Sequence, residues 1–160
     1  MLLFTSDYTE GAHPRIMKRL METNMEQTVG YGCDDYCRQA ADQIRDLCGC
    51  REAAVHFLVG GTQTNATVIA AALRPYQGVL AAHTAHIAVN ETGAIEGDGH
   101  KVLVLPGKDG KITAEQVRRA AIAHREDGAF EHTVQPKMVY ISNPTELGTL
   151  YTRRELQELS

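Results

Sequence analysis

Two glycines set between an apolar run and a helix make a place where phosphate chemistry can begin. Residues 57–65 read Phe-Leu-Val-Gly-Gly-Thr-Gln-Thr-Asn, with Gly60 and Gly61 at the junction. The first amides of a helix have no intrahelical acceptor, and with the helix dipole behind them they favour an anion. Gly61, Thr62 and Gln63 are placed to present those amides, and the Thr62 hydroxyl adds a side-chain donor. The segment is neither G-x-G-x-x-G nor a Walker A loop, because no Lys-Ser/Thr pair follows. A Gly-Gly pair also serves as a plain tight turn, so this segment alone leaves both readings open.

The elements that must position such a turn follow an alternating pattern. Residues 54–59 predict a strand, and 62–73, too long and too alanine-rich for a strand, predict a helix. Further strands are expected at 79–82, 102–105 and 138–142, with a turn at Pro106-Gly107-Lys108-Asp109-Gly110. Thr113 with Gln116 and Thr152 with Glu155 have capping-box spacing, so each opens a helix; Leu156 and Leu159 begin an inward stripe on the second. Upstream, Pro14 suits a first helical turn with Ile16, Met17, Leu20 and Met21 at helical spacing. Asp34 or Asp35 caps a second helix that carries Ala41, Ile44 and Leu47 inward and ends at Gly49. Strands alternating with helices imply a mainly parallel sheet covered on both faces.

The totals exclude several function classes. A chain of 160 residues that is 43% hydrophobic can hold one α/β domain or part of a larger one. With a net charge of −4 and interspersed signs there is no basic stripe to neutralise a phosphate backbone, so no nucleic-acid partner is expected. No apolar run approaches the ~20 residues a bilayer needs, and the start has no export signal, so a cytoplasmic protein without a membrane partner is expected. Cys33, Cys37, Cys48 and Cys50 lack paired C-x2-C spacing, and no histidine follows at finger spacing. They predict free, buried thiols and no metal site.

The glycine turn keeps specific company. Ser6-Asp7, Gly11-Ala12-His13-Pro14 and Tyr31-Gly32 precede Gly61-Thr62-Gln63 and Asn65. Ala85-His86-Ile87, Glu91-Thr92-Gly93-Ala94 and Gly99-His100-Lys101 follow, then Tyr140-Ile141-Ser142-Asn143, Thr145-Glu146 and Gly148-Thr149. In this order and at these spacings the set resembles the N-terminal half of threonine aldolases and related β-eliminating lyases, over essentially the whole chain. Each piece is weak, and the set is specific.

That resemblance implies part of a type I pyridoxal-phosphate-transferase (aspartate aminotransferase-like) large domain. Its N-terminal helical arm would span about 1–50 and the start of the α/β sheet about 51–160. It implies pyridoxal 5'-phosphate as cofactor, its phosphate on Gly61, Thr62 and Gln63 and its ring stacked by His86. It assigns the catalytic work to His86 and, beside it, Glu91, which would orient the imidazole or carry protons. Ser6 corresponds to a position on the substrate side. Thr145-Glu146 lies on a loop after a strand, where α/β ligands sit; some family members carry a His near Glu146. A homodimer or homotetramer is implied as well.

The implied reaction is cleavage of threonine or allo-threonine to glycine and acetaldehyde. The alternatives are β-elimination from a related amino acid, or a catalytically silent phosphate-binding or structural fragment. Such lyases need a lysine to bind the cofactor and an aspartate at the ring nitrogen. In the family these, and the arginines for the substrate carboxylate, come from the second half of the chain. Lys18, Lys101, Lys108, Lys111 and Lys137 fall outside the Schiff-base motif, and Arg153 and Arg154 read as surface residues. The expectation is a truncated chain that is inactive alone.

Overall fold

The computed structural model describes residues 3, 5, 6 and 8–160; Asp7 of the Ser6-Asp7 pair lies outside the described residues. The chain divides into two compact units, Met1–Phe57 and Leu58–Ser160.

The first unit contains helices α1 (Pro14–Thr23) and α2 (Asp35–Cys48). Pro14 takes the first turn of α1 as expected, after His13, whose ring accepts from the Arg15 amide. The Asp34 carboxylate caps α2 by accepting from the Cys37 amide, and Gly49 ends it in the left-handed conformation at φ 62°. The predicted inward stripes differ from the structure. Ile16, Met17, Leu20 and Met21 of α1 are all exposed, as are Ile44 and Leu47 of α2; Ala41 is the buried residue of that helix. Within this unit the two helices meet through polar groups, the Arg19 guanidinium donating to the Tyr36 hydroxyl at 3.5 Å and that hydroxyl to Glu26 at 2.5 Å. Among the described residues of the unit, no apolar partner covers the α1 stripe. The thiols also depart from expectation: all four are free, but Cys33, Cys48 and Cys50 are exposed and Cys37 half-buried. The covered side of α2 runs through Cys37, Ala40 and Ala41, which leaves Cys48 and Cys50 at the open end of the helix.

The second unit is an α/β layer. Its elements in chain order are α3 (Gly61–Ala72), β1 (Gln77–Ala82), α4 (His86–Val89), α5 (Ala94–Gly97) and β2 (Lys101–Leu105). Then come α6 (Ala114–Glu126), a 3-10 turn (Phe130–His132), β3 (Gln135–Val139) and α7 (Arg153–Leu159). The sheet order is β2-β1-β3, and both pairings are parallel. Central β1 is buried at every position. The cover predicted for both faces is complete only there, since Val104 on β2 is exposed. Ile69, Val79, Ala81, Ile87, Ile95 and Ile112 anchor one core that ties helices α3 to α5 to the sheet.

Residues 54–59 form no strand. Apolar character made the run look strand-like, but a strand needs a ladder partner, and none among the described residues pairs with it. Phe57, Leu58 and Val59 are exposed. β3 starts three residues earlier than expected and ends at Val139, although the Tyr140 amide still donates to Leu80 at 2.8 Å.

Both capping boxes form as read, at Thr113 with Gln116 and at Thr152 with Glu155. The short helix α7 is held by more than its cap. Leu156 and Leu159 are half-buried, the Tyr151 hydroxyl accepts from the Ile112 amide at 2.9 Å, and Lys111 pairs with Glu155 at 3.0 Å. The Thr152 amide and the Lys111 ammonium, both donating to the Glu155 carboxylate, hold its pKa down from 4.5 to about 2. A carboxyl held below its unfolded value stabilises the fold above that value and loses the contribution as pH falls toward the folded one. Glu155→Gln should therefore weaken the fold at neutral pH, and the gap to wild type should close between pH 4.5 and about 2. Denaturant melts across that range test this; a gap that stays constant with pH would contradict the assignment.

Candidate functional site

The glycine turn opens α3 as a set of uncapped donors. The first intrahelical bond runs from the Thr64 amide to Gly60 O at 3.0 Å, so the amides of Gly61, Thr62 and Gln63 precede it, and no side chain caps them. A Cβ added at Gly60 or Gly61 would meet nothing within 4 Å, so the space before these amides is open. The side-chain oxygen of Gln63 accepts from the Val59 amide at 3.0 Å, which leaves Nε2 and the backbone amide of Gln63 as donors. The Thr62 hydroxyl is exposed.

His86 and Glu91 come together as expected. β1 ends at Ala82, and a short turn brings His86 to the first position of α4. Glu91 then sits at the head of a four-residue turn closed by the Ala94 amide on Glu91 O at 3.0 Å. Its two central residues, Thr92 at φ 52° and Gly93 at φ 75°, are both left-handed, which explains the small residue of the Glu-Thr-Gly-Ala motif. The turn points Glu91 inward: its side chain is 0% exposed, and Oε1 lies 2.7 Å from His86 Nδ1. A carboxylate only accepts, so a neutral imidazole beside it carries its proton on Nδ1 and has its lone pair on Nε2. The His86 side chain is 47% exposed, open enough for a flat ring to lie against it.

Three further residues hold this pair; the sequence placed Glu146 on a ligand-side loop and marked Asn65 and Ser142 only as motif residues, with no role given to any of them. Asn65 Nδ2 on α3 donates to the same Glu91 oxygen at 2.7 Å. The Glu146 carboxylate accepts from the His86 amide at 2.9 Å and from the Ser142 hydroxyl at 2.5 Å. Glu146 thus fixes the backbone of His86 while Glu91 fixes its ring. Ser6 belongs to the first unit, where its hydroxyl accepts from the Tyr8 amide at 3.4 Å and its carbonyl from Thr9.

A β-eliminating lyase family model matches residues 4–160. The chain belongs to this family. Among its relatives is the low specificity L-threonine aldolase of Pseudomonas aeruginosa, 31% identical over 98% of this chain and 44% of its own length. The enzyme of that name from a Pseudomonas species is 30% identical with the same coverage. The solved structure of Leishmania major threonine aldolase superposes with a TM-score of 0.90 and 45% identity, over 96% of this chain and 44% of that one. The α/β arrangement of the second unit is therefore part of the threonine aldolase fold, in a family of pyridoxal-phosphate-dependent lyases. The chain spans less than half the length of the relatives it matches.

Membership does not by itself place the site residues, but the turn that carries Glu91 offers a test. Gly93→Ala meets only ordinary contact, with Glu96 Oε2 at 3.9 Å, so its cost is that of a left-handed Cβ, about 1–2 kcal/mol. Unfolding should show that loss, and Gly93→Asn, which tolerates the conformation, should recover most of it. Equal stability of Gly93→Ala and wild type would mean that the turn is not held as described.

Proposed function

We propose that this chain supplies the cofactor-phosphate and ring-stacking part of an aldehyde-lyase of the threonine aldolase type, cleaving threonine or allo-threonine to glycine and acetaldehyde. The observation that carries the reading is the convergence of an uncapped, open helix N-terminus with a half-exposed histidine held by a buried glutamate. The donor set fits pyridoxal phosphate: three free amides at the positive end of a helix suit the phosphate, and an open imidazole suits the ring. When bound, pyridoxal phosphate supplies an electron sink for the electrons released as the Cα–Cβ bond breaks.

The chain's own residues do the rest. Gly61, Thr62 and Gln63 hold the phosphate through their amides, with the Thr62 hydroxyl as a further donor. His86 covers one face of the ring, which keeps water from that face. With Nδ1–H committed to Glu91, His86 Nε2 is the atom free to take the β-hydroxyl proton whose removal starts the cleavage. Glu91 acts as a positioning residue through the ring, and Glu146 through the backbone. Ser6 is assigned to the substrate side by family correspondence alone. β-Elimination on a related amino acid draws on the same residues.

The lysine that binds the cofactor is assigned to the part of the relatives that this chain does not span. Lys101 opens β2, and Lys137 is the middle residue of β3, beside Gly78 and Val79 in the first half of β1; the turn that leads to His86 follows the other end of β1. Lys111 pairs with Glu155, Lys18 lies on the exposed helix α1 of the first unit, and Lys108 lies on an exposed turn. The 160-residue chain alone is accordingly assigned no turnover. A homodimer or homotetramer in the cytoplasm is the assembly proposed, the exposed α1 stripe being apolar surface that association would cover.

The test compares threonine cleavage by residues 1–160 with cleavage by the same chain extended through the region its relatives continue into. Activity confined to the extended chain supports the reading. Stereoselective turnover by the short chain, lost in His86→Ala, would place the whole machinery, cofactor lysine included, within residues 1–160 and overturn the assignment of that lysine.

A further inference from the structure

Glu91 is a buried carboxylate with an uneven set of partners. Both of its donors, His86 Nδ1 and Asn65 Nδ2, lie 2.7 Å from Oε1, while Oε2 is buried and has no partner among the described residues. The His86 ring makes no other hydrogen bond among the described residues. Its orientation is therefore only as fixed as Glu91, and Glu91 is only as fixed as Asn65. A buried carboxylate left with one donor is strongly driven to rotate or to find water. Asn65 also lies one helical turn beyond Gly61, on the helix whose first amides face the phosphate.

We infer that Asn65 is a positioning residue: its side-chain amide holds Glu91 so that His86 keeps one tautomer and one ring orientation, and it ties that orientation to the phosphate-binding turn. This rests on the site reading proposed above and extends it to a residue that touches neither cofactor nor substrate.

The experiment is a double-mutant cycle in the full-length, cofactor-loaded protein, made from Asn65→Ala, His86→Ala and the pair, with each sample compared at equal folded concentration. Asn65→Ala should lower kcat about 10- to 100-fold, as removal of an orienting partner does. KM and pyridoxal-phosphate affinity should change little, since the phosphate amides are untouched. In the His86→Ala background the same substitution should cost nothing further, because its effect passes through the missing ring. Asn65→Leu, which keeps the branching of the Asn side chain without its donor, takes the place of Asn65→Ala if the smaller side chain unsettles the fold.

A second readout needs no turnover. In histidine-selective 15N spectra of the cofactor-free protein, His86 should show a single form protonated at Nδ1, and Asn65→Ala should mix in the Nε2-protonated form. Equal losses in both backgrounds, or a His86 spectrum unmoved by Asn65→Ala, would overturn the inference while leaving the site reading intact. Full activity in His86→Ala would overturn both.

Discussion

Replacing His86 by alanine in the full-length protein is expected to lower kcat for threonine cleavage by about 100- to 10,000-fold, the range for loss of a general base. The expectation rests on one atom. Nδ1 is committed to Glu91 at 2.7 Å, so Nε2 is the ring nitrogen left to take a proton. Cofactor retention should fall far less, because phosphate binding is assigned to the amides of Gly61, Thr62 and Gln63, and ring stacking adds only about 0.5–1.5 kcal/mol. Kinetics and a pyridoxal-phosphate titration on the same samples separate the two. A variant that keeps its kcat but loses its cofactor would mean that His86 holds the ring without moving a proton.

Gly110→Ala is expected to destabilise the fold by about 2–5 kcal/mol, the sum of a left-handed Cβ and overpacking of a close contact. Gly110 has φ 80°, and an added Cβ would lie 2.7 Å from Thr145 Oγ1 and 2.9 Å from Thr145 Cβ. Thr145 cannot retreat easily. It is buried, its Oγ1 is 2.7 Å from Thr149 Oγ1, and Thr149 Oγ1 in turn donates to Asp109 O at 2.6 Å. These bonds knit the turn after β2 to the loop after β3, the loop that carries Glu146. The same substitution should therefore disturb the site as well as the fold, since Glu146 holds the His86 amide. A denaturant midpoint that drops with an unchanged m-value reports the stability loss. A midpoint within experimental error of wild type would show that the two loops yield freely.

What the sequence made legible was what is local. The capping boxes at Thr113 and Thr152 form as read because donor and acceptor lie three residues apart on one turn. The glycine turn before α3 was legible for the same reason, as was Gly49 at the end of α2. The strand predicted at 54–59 failed because a strand is a property of two segments. The exposed stripe of α1 failed in a related way: period alone says that a face is apolar, not that anything in the same unit covers it. In the site, His86 and Glu91 are five residues apart, close enough in sequence for the family resemblance to pair them. Asn65 with Glu91, 26 residues apart, and Glu146 with His86, 60 apart, could not, because those bonds exist only once the sheet has formed. The Asn65 that accompanies Gly61-Thr62-Gln63 was the one available signal, an amide side chain that closes the polar first turn of α3.

The central claim is that the first amides of α3 hold a phosphate whose attached ring lies against His86. A crystal structure of the full-length protein with pyridoxal phosphate tests it most directly. The account predicts phosphate oxygens about 2.7–3.2 Å from the amides of Gly61 and Thr62, the pyridine ring stacked on the His86 imidazole, and Nδ1 still on Glu91. A phosphate bound only elsewhere, with the Gly60-Gly61 turn closed against side chains and His86 turned away from the ring, would contradict it.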